Sequence, residues 1–182
     1  MEKCTIAVIV GSLRKDSLNR KLAEALVKMA PAGCTFRISE IGDLPLYNQD
    51  DDGNQAASVK RLKQDIESAQ GVVFITPEYN RSISGVLKNA IDHASRPYGK
   101  SSWSGKPAAI LGVSVGAMGT AMAQQHLHNI TSHLNMPTLG QPEMFLHAKE
   151  GFFNADGSIG AGSRDFVQGW ISTYLAWVKK HQ

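Results

Sequence analysis

Only two cysteines, Cys4 and Cys34, occur in the 182 residues. That is too few for a disulfide framework, and it fits a reducing, cytoplasmic setting. Each begins a predicted strand, so core packing is their expected role. The start of the chain shows no charged leader followed by an apolar segment and a cleavage site, so no secretory signal is read there. No apolar run is long enough to span a bilayer, and no membrane association is expected. Charge of one sign is also missing. Nineteen Lys and Arg stand against sixteen Asp and Glu, for a net charge of +3 that is dispersed along the chain. That balance does not argue for nucleic acid, while a mild positive field suits anionic ligands. No repeat, linker or low-complexity stretch divides the chain, so residues 1–182 read as one domain with a sizeable core.

What is present is an alternation of two periodicities. Ile6 to Val10 has the length of a buried strand, and Leu18, Leu22, Leu26 and Met29 then recur at helical spacing until Pro31 and Gly33. Cys34 to Ser39 alternates cleanly and predicts a half-exposed strand near a sheet edge. A loop from Ile41 to Asn54 carries Asp50, Asp51 and Asp52, read as solvated surface. Val59, Leu62, Ile66 and Ala69 mark a second helix, and Gly71 to Thr76 is apolar on both faces, as a central strand is. A helix over 85–94, a strand over 108–113 and a helix carrying Ala123, Leu127, Ile130 and Leu134 follow. The fifth strand is expected at Pro137 to Leu139, and the last helix from Ser163 to Lys179. Five strand–helix alternations predict an open parallel α/β sheet with helices on both faces. The length suits the five-stranded flavodoxin-like order 2-1-3-4-5.

In such a sheet ligands bind beyond the carboxyl ends of the strands. Three loops meet there: Ser12 to Asn19, Pro77 to Ser82 and Ser114 to Gly119. The first runs from Gly11 into a helix N-terminus, where unpaired amides and the helix dipole favour an anion. Ser12, Ser17 and Asn19 add donors and Arg14 adds charge. Neither the three-glycine dinucleotide fingerprint nor the Gly-Lys-Ser/Thr of the NTPase loop is present. The second loop offers Tyr79 as a flat face, with backbone groups of Glu78 to Arg81 beside it. In the third, Gly116 and Gly119 let the main chain come close to a ring. Phosphate at one end and a flat polar heterocycle at the other describes FMN. Each loop alone also reads as an ordinary turn, with Tyr79 a half-buried aromatic and Glu78 a cap or a partner for a cation.

The segments Gly11-Ser12-Leu13-Arg14-Lys15-Asp16-Ser17-Leu18-Asn19, Thr76-Pro77-Glu78-Tyr79-Asn80 and Gly85-Val86-Leu87-Lys88-Asn89-Ala90-Ile91-Asp92, with Ser114, Gly116 and Gly119, resemble the NADPH-dependent FMN reductases of the flavodoxin-like superfamily. Within them the chain is most similar to the bacterial quinone and chromate reductases and related azoreductases. The resemblance implies that Ser12, Leu13, Arg14, Ser17, Asn19 and the backbone of Leu18 hold the FMN phosphate. It implies that Pro77, Glu78, Tyr79, Asn80 and Arg81 line the isoalloxazine, and that Ser114 and Gly116 close the far side. One departure is the absence of Pro from Ile83-Ser84-Gly85.

The implied function is reduction of quinones, azo compounds or oxidised metal anions such as chromate, through bound FMN, with NADPH or NADH as hydride donor. Such an enzyme requires no dedicated acid, base or nucleophile, and none is assigned. His126 and His133 share a helix face while His128 points elsewhere, and nothing completes a metal-ligand set. The Met118, Met122, Gln125, His126 and Asn129 face suits a partner surface, and the family implies a homodimer or homotetramer. The rival reading is a flavodoxin-type electron carrier, against which the basic charge balance argues. A phosphatase would need a cysteine nucleophile near Gly11 to Asn19, where there is none.

Overall fold

The computed structural model describes residues 4–182. One sheet runs through it in the order β2-β1-β3-β4-β5, with every pairing parallel. Its strands are β1 (Cys4–Val10), β2 (Cys34–Ser39), β3 (Gly71–Ile75), β4 (Ala108–Ser114) and β5 (Phe145–His147). The helices are α1 (Leu18–Met29), α2 (Ala57–Glu67), α3 (Gly85–Ala94), α4 (Ala121–His133) and α5 (Ala161–Lys180). Parallel neighbours cannot be joined by a hairpin, so each crossover lays a helix on a face of the sheet.

The strand residues divide between two cores. Ile6, Val8, Val10, Val73 and Ile75 pack with Leu22 and Leu26 of α1 and with Trp170 and Tyr174 of α5. Ala7, Ile9, Val72 and Phe74 point the other way, toward Leu62 and Ile66 of α2, Leu87 of α3 and Leu127 of α4. Both faces of β1 and β3 are therefore covered, which is why these strands are near-continuous apolar runs. Strand β2 lies at the edge and keeps its alternation, with Phe36 and Ser39 buried and Thr35 and Arg37 exposed.

Two expectations require correction. The fifth strand lies at Phe145–His147, beyond the Gly140 to Pro142 interruption rather than before it. The stretch 137–139 makes a single bridge, Ala108 to Thr138, with the Ala108 amide donating to the Pro137 carbonyl and the Leu139 amide to the Ala108 carbonyl. The interruption thus splits the edge into two short pieces against opposite ends of β4. The acidic run is the second case. Asp50 and Asp51 are exposed, but Asp52 is partly buried and holds Arg96, with Oδ2 2.6 Å from Nη2. That pair ties the loop after β2 to the end of α3. Cys4 and Cys34 sit opposite each other in register at the start of β1 and β2 and pack against the core. Burial, with Cys4 beside it, pushes the Cys34 thiol up to about 12.

Tyr174 closes the base of the sheet. It is fully buried, and its hydroxyl donates to the carbonyls of Val72 at 2.9 Å and Pro107 at 3.2 Å. Gly71 leaves the room this hydroxyl needs, since a β-carbon there would crowd it. Burial holds the phenol well above its ordinary range. A raised native value means stability that is complete below about pH 10 and lost as pH rises toward that value. Tyr174→Phe is expected to lower urea stability at pH 7 by about 1–2 kcal/mol. It should also flatten the alkaline loss of stability; an unchanged alkaline limb in the variant would contradict this.

Candidate active site at the carboxyl edge of the sheet

The loop after β1 is clamped before it turns. The Gly11 amide donates to the Ile75 carbonyl at 2.8 Å, and Ser84 Oγ donates to the Gly11 carbonyl at 2.6 Å. Leu87, Pro77 and Ser84 crowd the position a β-carbon would take on Gly11. The loop ends at Ser17, the N-cap of α1, whose Oγ accepts from the Arg20 amide at 3.1 Å. The cap leaves the Ser17 hydroxyl hydrogen free as a donor. The amides of Leu18 and Asn19, in the first turn, have no intrahelical acceptor.

A cavity of about 160 Å³ opens between the three loops. Ser12, Arg14, Ser17, Leu18 and Asn19 line it from the first loop, and Pro77, Glu78 and Tyr79 from the second. Ser114 lines it from the third, together with Val113 and Val115, two residues the sequence reading missed. Val113 looks in sequence like any core residue of β4. Val115 had one signal, an apolar β-branched side chain in a glycine-rich loop, where it is 78 % exposed.

Five anticipated residues stand outside the cavity wall. Leu13 is exposed and turns away to pack over Gly42. Gly116 is exposed, its carbonyl taken by Ser114 Oγ at 2.9 Å. Asn80 and Arg81 form the tip of a tight turn closed by paired Tyr79 and Ser82 backbone bonds of 2.9 and 3.0 Å. Both tip residues have positive φ, 51° and 66°. Asn tolerates this readily, whereas Arg does so at a cost of about 1 kcal/mol. Gly119 serves packing rather than ligand approach. Its φ is +54°, and a β-carbon would overlap the backbone of Phe145 and Leu146.

Two of the anticipated side chains make bonds within the protein. Asn19 is buried, and its amide makes a two-point bond to β4. Nδ2 donates to the Val113 carbonyl and Oδ1 accepts from the Val113 amide, both at 3.0 Å. It braces the start of α1 against the end of β4, with one amide hydrogen uncommitted. Glu78 turns its carboxylate to α4, where Oε2 accepts from the Met122 amide at 3.0 Å and the Ala123 amide at 3.3 Å.

The third loop is set from below. Thr120 has a φ of 68°, and its side chain fills the hollow left by Gly112. Gln124 Nε2 donates to Thr120 Oγ1 at 3.1 Å and to the Met144 carbonyl at 2.9 Å, joining α4 to the entry of β5. The three histidines of α4 do not converge, and the described residues include no group of three His, Cys, Asp or Glu placed to hold a metal. His126 is instead bonded to Ser82, Nδ1 to Oγ at 2.8 Å. Burial pushes the partly buried His128 imidazole down.

The donor set suits a phosphate monoester: two hydroxyls, a guanidinium and two unpaired helix amides. The Asn19 bond gives a test that needs no ligand. Asn19→Ala strands the buried amide and carbonyl of Val113 and should cost about 2–4 kcal/mol in urea unfolding of the ligand-free protein. A loss under 0.5 kcal/mol, the size of an ordinary surface change, would contradict the brace.

A Burkholderia protein named 2-hydroxy-1,4-benzoquinone reductase is 49% identical over 96% of each chain. A Pseudomonas putida quinone reductase is 45% identical over 96% of this chain and 95% of its own. The structure of FerB from Paracoccus denitrificans, a flavoenzyme NAD(P)H:(acceptor) oxidoreductase, superposes with a TM-score of 0.93 at 46% identity, over 98% of both chains. A Pseudomonas aeruginosa flavodoxin at 15% identity and a TM-score of 0.60 shares the fold. The model of the NADPH-dependent FMN reductases matches residues 4–151, and the chain belongs to that oxidoreductase family, whose chemistry uses FMN and NAD(P)H.

Proposed function

We propose that this chain reduces quinones at the expense of NADPH or NADH, with FMN seated between the three loops. The observation that carries the proposal is the cavity itself. Anion donors from the first loop and Tyr79 of the second line one space at the strand-order reversal. The cavity is smaller than FMN, so it suits the phosphate and its attachment, with a ring lying across the open mouth beside Tyr79, which is 45 % exposed.

In this reading Ser12, Arg14 and Ser17, with the amides of Leu18 and Asn19, hold the phosphate. Asn19 acts mainly by bracing the loop. Pro77 and Tyr79, with backbone groups of Glu78, Asn80 and Arg81, border the ring's polar edge. Ser114 and Gly116, with Val113 and Val115, close the opposite side. When bound, FMN supplies the two-electron chemistry between nicotinamide and acceptor. The protein supplies position and charge, and it leaves one side of the mouth open for donor and acceptor in turn.

The names of the Burkholderia and Pseudomonas putida relatives support quinones as acceptors. Azo compounds and chromate are further acceptors for the same open face. We place the protein in the cytoplasm, in keeping with its two free thiols. No helix among the described residues is long and apolar enough to cross a membrane. We read α4 as the contact in a homodimer or homotetramer, since Met122 stands exposed on it with Gln125, His126 and Asn129, and Met118 stands exposed in the turn before it. A monomeric mass at micromolar concentration would remove that part of the reading.

The experiment is a visible spectrum of the FMN-loaded protein under anaerobic NADPH, followed by benzoquinone. Loss of the absorbance near 450 nm and its return with quinone are expected, with stoichiometric hydroquinone. Flavin that binds but is not bleached by NADPH or NADH would contradict the enzyme and favour the electron carrier.

A further inference from the structure

The turn that carries Tyr79 is an unfavourable piece of backbone, because Asn80 and Arg81 both lie at positive φ. A two-residue turn of this hand normally uses Asn-Gly or Gly-Gly. Here the second place is Arg, so local preference holds the shape less well than a glycine would. The paired Tyr79 and Ser82 backbone bonds close the turn, and bonds from outside it add to them. Two side chains flank it, Glu78 on one side and Ser82 on the other, and both reach the same helix. Glu78 Oε2 accepts the amides of Met122 and Ala123 at 3.0 and 3.3 Å. Ser82 Oγ lies 2.8 Å from His126 Nδ1. Met122 and His126 are one helical turn apart, so both bonds fall on one face of α4.

The helix has its own need for Glu78. Its N-cap residue, Thr120, is in the left-handed region and makes no side-chain cap bond. The Thr120 hydroxyl accepts from Gln124 and fills the hollow over Gly112. A carboxylate at a helix N-terminus answers both the unpaired amides and the dipole. Glu78 supplies it from 44 positions earlier in the chain. With those amides taken, the start of α4 is not available to the anionic part of a ligand.

We propose that Glu78 and Ser82 are positioning residues for the flavin site. They staple the Tyr79 turn to α4 at two points, and this sets the wall of the cavity without either side chain needing to touch the ligand. The inference rests on the proposed flavin seat for its effect on binding. The staples themselves are properties of the ligand-free chain.

The test combines amide hydrogen exchange of the flavin-free protein with FMN titration, using Glu78→Ala, Glu78→Gln and Ser82→Ala. Glu78→Ala should speed exchange of the Met122 and Ala123 amides by at least about tenfold, while the β1 and β3 amides keep their wild-type rates. It should weaken FMN binding by about tenfold or more, the scale of losing two bonds to a charged acceptor. Glu78→Gln keeps an acceptor oxygen and should restore both readouts to within about threefold. Ser82→Ala should weaken FMN binding severalfold and leave the Met122 amide protected.

Unchanged exchange at Met122 and Ala123 in Glu78→Ala would overturn the staple. FMN affinity within twofold of wild type in both alanine variants would overturn the positioning role. Equal loss of protection at every amide would show a merely structural residue and would also overturn it. Should Glu78→Ala fail to fold, Ser82→Ala decides, and FMN affinity within twofold of wild type in that variant would overturn the proposal. A wild-type protein that does not take up FMN would sink the proposed function, while exchange at Met122 and Ala123 still judges the staple.

Discussion

The carboxyl ends of β1, β3 and β4 are uncovered because the chain leaves them in different directions. The helix after β1 goes to one face of the sheet, with α5, and the helices after β3 and β4 go to the other. No crossover can then close over the gap between them. This is a constraint of parallel pairing and right-handed connection, and it leaves a crevice at the strand-order reversal whatever the loop sequences are. The loops decide only what the crevice recognises. Here they line it with hydroxyls, a guanidinium and helix amides at one end and an aromatic at the other.

A crevice made of loops must be stiffened, and in this chain the stiffening is mostly polar. Asn19 joins α1 to β4, Ser84 holds Gly11, Glu78 holds the start of α4, and Gln124 holds the entry to β5. Each bond joins segments far apart in sequence, so the cavity forms only when the whole sheet has assembled. The glycines act in the same sense. Gly112 and Gly119 let Thr120 and β5 come close beneath the third loop, and Gly71 admits the Tyr174 hydroxyl at the far edge. Polar bonds of this kind contribute modestly when made and are costly when one partner is removed. Much of the strictness of the first and second loops follows from that asymmetry.

The architecture was legible in sequence because both periodicities are strong. Gly71 to Thr76 read as a central strand and Cys34 to Ser39 as an edge strand, and each is where its pattern places it. The fifth strand was misplaced because a three-residue strand carries almost no periodicity, and Gly140 and Pro142 mark a break without saying on which side pairing resumes. The site was legible as a set of loops. The roles of individual side chains were less so. Nothing in the spacing of Asn19 announces that it bonds Val113, 94 positions away. Glu78 offered three readings in sequence, and only the position of α4 selects the cap. Residues such as Leu13 and Val115 sit in the right loops, but their side chains turn opposite ways, which loop backbone geometry decides.

The central claim is that the first loop grips the ligand by its phosphate. Calorimetric titration of the flavin-free protein with FMN and with riboflavin tests it directly, because the two share the ring and differ only in that group. FMN should bind at least about 100-fold more tightly, a difference of about 2.7 kcal/mol, and inorganic phosphate should compete with it. Equal affinity for the two flavins, with no effect of phosphate, would contradict the account.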